Sequence, residues 1–288
     1  MTLQRCDTIE SIRGAVRAAR AAGRTIGIVP TMGNLHAGHA SLIDASVGDG
    51  HFTVVTIFVN PTQFGPTEDL AAYPRTGEAD LALCEAHGAA AAFMPAVEAM
   101  YPPGARTSIH VAALTEGLCG ASRPGHFDGV CTVVAKLFNI VGPDAAYFGQ
   151  KDAQQAIVLR RMAKDLDFPI ALHVCPTVRE ADGLAMSSRN QYLTADQRRQ
   201  ATALHGALRL AAERIARGST GAAALEAAMR EHLAAHAPDG TVDYIALVNP
   251  EDLTCVQDVN GPVLIALAVK VGRARLIDNL MVDPRDRL

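Results

Sequence analysis

The stretch "PTMGNLHAGH" places His36 and His39 three residues apart around a glycine, directly after an apolar run that favours a β-strand. If a helix begins at Leu35 or His36, both imidazoles lie on one face of its first turn. There they are close to backbone N–H groups that favour an anion. Gly33 and Gly38 carry no Cβ that would keep a flat or phosphorylated ligand off the backbone. The stretch predicts a phosphate site in which imidazoles offset charge at phosphorus, with a His-x-x-His metal site or two surface histidines as alternatives.

Two neutral amides follow the next apolar run, in "FVNPTQF". Asn60 and Gln63 can orient a ligand that carries hydroxyl or carboxylate groups without placing a full charge beside it. Such neutrality matters if the carboxylate has to react, because an arginine would stabilise its ground state and weaken it as a nucleophile. The pair therefore predicts a site for a small organic acid. A simple Asn-Pro turn is the alternative.

A third cluster, in "YFGQKDAQQ", connects the end of a strand to a helix. Lys151 supplies a point charge for phosphate, Asp152 fits the position that caps the helix, and Gln155 falls just inside it. Lysine occurs at only four positions of the chain, which makes its presence here more informative. The alternative is a surface ion pair between Lys151 and Asp152, which would contribute little.

Two further loops carry polar side chains. In "GLAMSSRN", the hydroxyls of Ser187 and Ser188 precede the guanidinium of Arg189, a combination suited to holding pyrophosphate. As a loop between domains it can close over a site and exclude water; the alternative is a polar linker that leads into the next helix. The loop "SRPGHFDGV" has three polar residues that either line a site or cap a helix, and the sequence leaves their role open: Arg123, His126 and Asp128.

The pattern of the whole chain predicts a scaffold that gathers these stretches. From Thr25 to about Ala171, short β-branched or aromatic runs alternate with helical patterns, as a parallel sheet with crossover helices requires. Ligands of such sheets bind outside the carboxyl ends of the strands, where the stretches described above fall. Alanine-rich helices at roughly 195–217 and 222–235 and three strand-like runs follow. We therefore predict an α/β fold, with a doubly wound parallel sheet in residues 1–177 and a smaller α+β domain in residues 178–288.

Composition restricts the class of protein. The chain has 288 residues, 49% of them hydrophobic and 19% charged, and a formal net charge of −4, which fits a globular protein and disfavours a nucleic-acid-binding surface. Its six cysteines are far apart and form no Cys-x-x-Cys pair, so neither a zinc site nor a disulfide framework is indicated. The N-terminus has no apolar signal core, and the longest apolar runs are too short to span a bilayer. We expect a cytoplasmic protein without membrane or nucleic-acid partners.

Taken together and in order, the motifs resemble those of one enzyme family. The His-x-Gly-His element is similar to the signature of the nucleotidylyltransferase superfamily, and "AMSSRN" is similar to its second, mobile phosphate loop. The full set resembles the pantothenate synthetase (pantoate–β-alanine ligase) family. The dense matches run from about residue 25 to residue 193, and looser ones continue through "VDYIALVNPEDL" and "ARLIDN". The stretches that carry the resemblance are "PTMGNLHAGH", "FVNPTQFGPTEDLAAYPRT", "RPGHFDGVCTVVAKLFNIVGPDAAYFGQKD" and "PTVREADGLAMSSRNQYL".

The resemblance implies an ATP-dependent ligase that joins (R)-pantoate to β-alanine through a pantoyl adenylate, releasing AMP and pyrophosphate, with magnesium accompanying ATP. It also implies a Rossmann-like first domain, a smaller lid domain and a homodimer. His39 takes the family's proton-donor position, and we expect His36 and Lys151 to act with it on the phosphates. Gln63 and Gln155 match the pantoate positions, and Gln63 also faces β-alanine. The positions implied for ATP are Met32, Gly33, Asn34, Leu35, His36, Ala37, Gly38, His39, Gly149, Gln150, Lys151, Asp152, Val178, Met186, Ser187, Ser188 and Arg189.

Two departures from the family's usual pattern are visible. Asn34 stands where alanine is usual, and "GEKDYQQ" reads "GQKDAQQ", with Gln150 and Ala153.

Two rival functions are distinguishable by experiment. Another nucleotidylyltransferase would transfer AMP to a phosphate ester, but the neutral Asn60, Gln63 and Gln155 favour a smaller, less charged acceptor. A catalytically silent nucleotide-binding or tRNA-synthetase-like module would bind ATP or RNA without turnover.

Overall fold

The computed structural model describes residues 2–66, 68 and 70–285. Its strands are β1 (Gln4–Cys6), β2 (Ile26–Thr31), β3 (Phe52–Ile57), β4 (Ala91–Phe93), β5 (Ala145–Gly149), β6 (Ala171–Cys175), β7 (Gly240–Val248), β8 (Val263–Val271) and β9 (Ala274–Val282). Its α-helices are α1 (Ile9–Ala21), α2 (Ala37–Gly48), α3 (Gly77–Ala86), α4 (Val97–Met100), α5 (Cys119–Ser122), α6 (His126–Val141), α7 (Ala153–Asp165), α8 (Ala195–Ala201), α9 (Ala203–Ala216) and α10 (Ala222–His236).

The chain divides into two compact units. The first unit comprises Met1–Thr115, Arg123–Gln150 and Val158–Pro176. The second comprises Glu116–Ser122, Lys151–Ile157 and Thr177–Leu288. Two short segments, each seven residues long in these ranges, thus group with the C-terminal part of the chain rather than with their neighbours in sequence.

A six-stranded parallel sheet is the centre of the first unit. Its strands lie in the order β1-β4-β3-β2-β5-β6. The direction of winding reverses between β2 and β5, and in doubly wound sheets this reversal leaves a crevice at the carboxyl ends of the two strands. Apolar runs make these strands almost fully buried. The predicted doubly wound α/β fold is confirmed.

The longest helix of the first unit, α6, is buried over most of its length, as its apolar sequence requires. It begins after Gly125 (φ 79°) and ends at Gly142 (φ 60°), and both glycines adopt left-handed backbone that other residues rarely tolerate. The helix α1 begins at a capping box in which the Thr8 hydroxyl accepts the Ser11 N–H at 3.1 Å.

The second unit contains a three-stranded antiparallel sheet in the order β7-β8-β9. Leu204 and Leu208 of α9 and Leu225 and Met229 of α10 belong to the core on this sheet, at the i,i+4 spacing of a helix face. The single helix predicted over residues 195–217 is wrong, because α8 and α9 are separate at Thr202. The Thr202 hydroxyl donates to the Arg199 carbonyl at 2.8 Å, a local bond that competes with the helical ladder.

No helix in the part of the chain that the structure describes is long and apolar enough to cross a membrane.

Candidate active site

The loop between β2 and α2 is fixed by a buried carboxylate. Asp80 of α3 is 2% exposed and accepts the N–H groups of Asn34 at 3.1 Å and of Leu35 at 2.8 Å. Gly33 (φ 83°) and Asn34 (φ 50°) both have left-handed backbone, which lets the chain turn sharply before the helix. A Cβ at Gly33 would lie 3.0 Å from Asp80 Oδ2, so the close approach also requires glycine. The motif therefore has a preformed backbone.

Both histidines of the motif cap α2. His36 precedes the helix, and its Nδ1 accepts the Gly38 N–H at 3.1 Å. His39 Nδ1 accepts the His36 N–H at 3.3 Å, and the two ring centroids lie 4.2 Å apart. Because Nδ1 is the acceptor in both rings, each neutral ring carries its proton on Nε2. The positively polarised end of α2 thus has two Nε2–H donors. The helix begins at Ala37, one residue later than the latest start predicted from the sequence, His36.

Asn60 is completely buried and its amide is saturated by the protein. Its Nδ2 donates to Gln63 Oε1 at 2.9 Å and to the Gly129 carbonyl at 3.1 Å. Its Oδ1 accepts the Tyr101 hydroxyl at 2.8 Å and the Thr62 hydroxyl at 3.0 Å. Burial raises the pKa of Tyr101, which keeps that hydroxyl a donor. Asn60 therefore orients Gln63, whose Oε1 is an acceptor and whose Nε2 is left to donate.

The three polar residues before and within α6 separate into two groups. Arg123 and His126 both donate to the Gln63 carbonyl, at 3.3 Å and 2.9 Å. Asp128 instead accepts from His110 at 2.8 Å in an exposed pair. The structure thus connects Arg123 and His126 with Gln63 and leaves Asp128 with a surface partner.

In the second unit, Lys151 and Asp152 lie in a 3-10 turn directly before α7. Lys151 Nζ is 3.7 Å from the Asp152 carboxylate, a loose and partly exposed ion pair that contributes little to stability. Gln154 is buried and hydrogen-bonds at both ends of its amide to the segment 116–122. Gln155, beside it, is half-buried, and its side chain makes no hydrogen bond to any residue that the structure describes.

The residues around Val178 and Met186 form a β-hairpin. The Met186 N–H donates to the Val178 carbonyl at 3.0 Å, so two positions implied for ATP are backbone neighbours. The Ser187 hydroxyl oxygen accepts the Arg189 N–H at 3.2 Å and opens the 3-10 turn Ser188–Tyr192. The serine hydroxyls and the arginine therefore lie in one turn that follows the hairpin.

Glu180 cross-links this hairpin to the turn and to α8. Its carboxylate accepts Asn190 Nδ2 at 2.9 Å and two nitrogens of Arg198 at 2.9 Å and 2.7 Å. The hydrogen bonds from Arg198 are the main reason why the pKa of Glu180 is below its usual value. The turn with Ser187 and Arg189 thus follows a hairpin that Glu180 holds to Asn190 and Arg198.

Two consecutive residues of β9 hold both the hairpin and the backbone of Lys151. Asp278 is 3% exposed and accepts two hydrogen bonds from Arg179, at 2.7 Å and 2.9 Å. Asn279 Nδ2 donates to the Lys151 carbonyl at 2.9 Å. A buried carboxylate is costly unless it is paired and hydrogen-bonded, and here it is both. The stretch "LIDN" therefore fixes the position of Lys151 within the second unit.

Sequence reasoning missed Asp80, Asp278 and Asn279. The available signal was polarity within an apolar pattern: Asp80 is four residues before the buried Cys84 on one face of α3, and Asp278 and Asn279 interrupt an apolar strand. A buried carboxylate or amide in such a pattern indicates a group that is bonded to backbone elsewhere in the fold.

No group of three or more His, Cys, Asp or Glu side chains that could hold a metal ion occurs among residues 2–66, 68 and 70–285.

The sequence is similar to known proteins over nearly its full length. The family described as pantoate-beta-alanine ligase matches residues 4–281. A pantothenate synthetase of Moorella thermoacetica is 54% identical over 279 residues, which cover 97% of this chain and 98% of that protein. A pantothenate synthetase of Acidobacterium capsulatum is 53% identical over an alignment that covers 97% of each chain.

Solved structures agree with the sequence relatives. The crystal structure of pantothenate synthetase from Thermus thermophilus has a TM-score of 0.92 at 44% identity and covers 96% of this chain and 99% of that one. The pantoate-beta-alanine ligase from Francisella tularensis, complexed with beta-gamma ATP and beta-alanine, has a TM-score of 0.80 at 32% identity and covers 98% and 99%. The resemblance inferred from the ordered motifs is confirmed, and the chain belongs to the pantoate–β-alanine ligase family.

Proposed function

We propose that this chain is an ATP-dependent ligase that joins (R)-pantoate to β-alanine and forms pantothenate, AMP and pyrophosphate. The observation that carries the proposal is the capped histidine pair at the carboxyl end of β2, next to the end of β3 that leads to Gln63. Two Nε2–H donors at a helix N-terminus suit phosphate, and the oriented amide of Gln63 suits an organic acid. Family membership supports the same reaction.

The reaction requires two displacements. In the first, a pantoate carboxylate oxygen attacks the α-phosphorus of ATP, the bond from that phosphorus to the bridging oxygen breaks, and pyrophosphate leaves. In the second, the β-alanine amine attacks the acyl carbon of the adenylate, AMP leaves with the bridging oxygen, and the nitrogen loses a proton. No covalent enzyme nucleophile is required, so positioning and electrostatic stabilisation supply most of the acceleration.

The residues divide the tasks as follows. His36, His39 and Lys151 stabilise charge on the transferred phosphoryl group, with His39 as the proton donor. Gln63 and Gln155 bind pantoate, and Gln63 also faces β-alanine. Asn60 contributes through Gln63, because its own amide is fully bonded within the protein. The ATP positions are Met32 to His39, Gly149 to Asp152, Val178, and Met186 to Arg189.

Further parts of the proposal rest on the family resemblance. Magnesium accompanies ATP and is bound mainly through phosphate oxygens, which suits a hard cation. Residues 1–177 form the nucleotide- and pantoate-binding domain, and residues 178–288 form a lid domain. The enzyme is a cytoplasmic homodimer with small-molecule substrates and without nucleic-acid or membrane partners. Sedimentation velocity tests the homodimer.

Pantoate-dependent exchange of labelled pyrophosphate into ATP tests the first step. We expect exchange with pantoate, ATP and magnesium alone, and release of AMP with pantothenate when β-alanine is added. Folded protein that shows neither reaction would rule the function out. Transfer of AMP to a phosphate ester in the same assay would favour another nucleotidylyltransferase.

Two separate lysine substitutions test which lysine stabilises charge on the phosphates. We expect Lys151→Ala to lower kcat about a hundredfold or more, since loss of one group that stabilises developing charge typically has such an effect. Lys164→Ala is the control, because Lys164 lies in the last turn of α7, the helix that follows the turn with Lys151. Equal activity of the two variants would place the phosphate cation elsewhere.

A further inference from the structure

The backbone carbonyl of Gln63 accepts two hydrogen bonds, one from Arg123 just before α6 and one from His126 at its start. His126 Nδ1 donates to it at 2.9 Å, and Arg123 Nη2 donates to it at 3.3 Å. Arg123 Nη1 also donates to His126 Nε2 at 2.9 Å. Because a guanidinium can only donate, Nε2 is the acceptor and the ring proton is on Nδ1, where it reaches Gln63. The tautomer of His126 is therefore set by Arg123.

Arg123 is itself immobilised by a carboxylate. Its Nε and Nη2 donate to the two oxygens of Glu68 at 2.7 Å and 2.8 Å, a bidentate pair that fixes the plane of the guanidinium. The side chains of Arg123 and Glu68 are only 19% and 26% exposed. Hydrogen bonding to Arg123 lowers the pKa of Glu68, so the pair stays charged at neutral pH.

The first turn of α6 packs closely against the segment that carries Gln63, and only glycine fits at position 129. A Cβ at Gly129 would lie 2.9 Å from Gln63 N and closer still to the Thr62 carbonyl. The Gly129 carbonyl accepts Asn60 Nδ2, which also donates to Gln63 Oε1. His126 and Gly129 are three residues apart and share one helix face. The position of Gln63 is thus fixed by α6 in two ways: His126 bonds to its backbone carbonyl, and Asn60 connects its side-chain amide with the Gly129 carbonyl.

We propose that Arg123, His126 and Gly129 are positioning residues for the acid substrates. They place Gln63 so that its Nε2 donates towards the substrate while Oε1 remains bonded to Asn60. The inference rests on the proposed function, in which Gln63 binds pantoate and faces β-alanine. Its specific consequence is that damage to these residues weakens binding of the acids and leaves binding of ATP unchanged.

Two substitutions at His126 separate positioning from general stability. His126→Asn retains a donor close to the place of Nδ1, and His126→Gln retains an acceptor close to the place of Nε2 but loses the donor to Gln63. We expect His126→Gln to raise KM for pantoate and β-alanine about tenfold, with KM for ATP within about twofold. We expect His126→Asn to stay within about threefold of the parent for all three substrates.

Amide hydrogen exchange gives a readout that does not need activity. The N–H groups of Gln63 and Phe64 donate within the turn that carries Gln63. We expect them to exchange faster in His126→Gln and at the parent rate in His126→Asn. If His126→Gln does not fold, Arg123→Lys, which cannot form the bidentate pair with Glu68, is expected to produce the same change.

Either of two results overturns the inference: His126→Gln that matches the parent in KM and exchange, or His126→Asn that is as impaired as His126→Gln. A parent enzyme without pantoate-dependent exchange of pyrophosphate would instead refute the proposed function. In that case the exchange rates at Gln63 and Phe64 still decide whether His126 positions this turn.

Discussion

At the scale of single residues, the two histidines of the motif each perform two tasks. Their Nδ1 atoms accept backbone N–H groups at the start of α2, and their Nε2 atoms carry the protons. In this arrangement Nδ1 serves the helix and Nε2 is the atom that can donate to a ligand. The capping and the donating tasks can therefore be separated by substitution.

The substitution His36→Asn separates them. Asparagine is among the best N-cap residues, so we expect the free energy of unfolding in urea to change by less than about 0.5 kcal/mol. The Nε2–H donor is lost, so we expect the rate of pantoate-dependent pyrophosphate exchange to fall about a hundredfold. His36→Ala, which removes the cap as well, should also cost about 1 kcal/mol of stability. Full activity of His36→Asn would show that His36 is only a cap.

Asn34 shows how far a motif predicts local structure. The sequence marks it as unusual for the family, but only the structure shows its left-handed backbone, at φ 50°. Asparagine tolerates this conformation better than alanine, because its short polar side chain can bond locally. The residue therefore suits its position, although no sequence pattern reveals the backbone angle, which depends on Asp80 holding the next two N–H groups.

At the scale of elements, periodicity predicts most of the architecture because burial sets it. Every strand except β1 is present as a β-branched or aromatic run in the sequence. β1 is three residues long and exists through its pairing with β4, which no local pattern records. The break between α8 and α9 is missed for a related reason, since it depends on one threonine hydroxyl within an otherwise continuous helical pattern.

The strand β9 allows a test of an element that holds a candidate site residue through its backbone. Asn279→Asp removes the donor to the Lys151 carbonyl and adds a charge next to Asp278. We expect it to lower the free energy of unfolding by about 1–3 kcal/mol, the cost of a buried polar group that loses its partner. We also expect KM for ATP to rise, because the backbone of Lys151 shifts.

Asn249→Asp is the control for this change. Asn249 Oδ1 accepts the Glu251 N–H at 2.8 Å, and aspartate keeps that acceptor. We expect its stability to stay within about 0.5 kcal/mol of the parent in the same urea titration. Equal effects of the two substitutions would show that Asn279 has no particular connection with Lys151.

At the scale of the whole molecule, the residues that the motifs identify are served by others that the motifs do not include. Asp80 and Arg123 serve the first unit, and Asp278 and Asn279 serve the second. Each group but Asp278 bonds directly to backbone of a motif: Asp80 accepts the N–H groups of Asn34 and Leu35, Arg123 donates to the Gln63 carbonyl, and Asn279 donates to the Lys151 carbonyl. Backbone looks the same in every sequence, so no motif records these bonds. Motifs therefore identify candidate side chains for the site, whereas the groups that hold those side chains in place emerge only from tertiary structure.

Mild acid should destabilise the second unit through two half-buried histidines. Burial lowers the pKa of His205 on α9 and of His232 on α10, and nearby Arg179 lowers that of His205 further. A lowered pKa means that the unfolded chain binds protons first, so the stabilising contribution is complete above the unfolded pKa, about 6.5, and is lost as pH falls below it. We expect amides of α9 and α10 to exchange faster at pH 5.5 than at pH 7.5, after correction for intrinsic rates.

The double variant His205→Gln/His232→Gln should flatten this pH dependence. His110→Gln, which replaces an exposed histidine of the first unit, should leave it unchanged. Retention of the full pH dependence in the double variant would assign it to other groups.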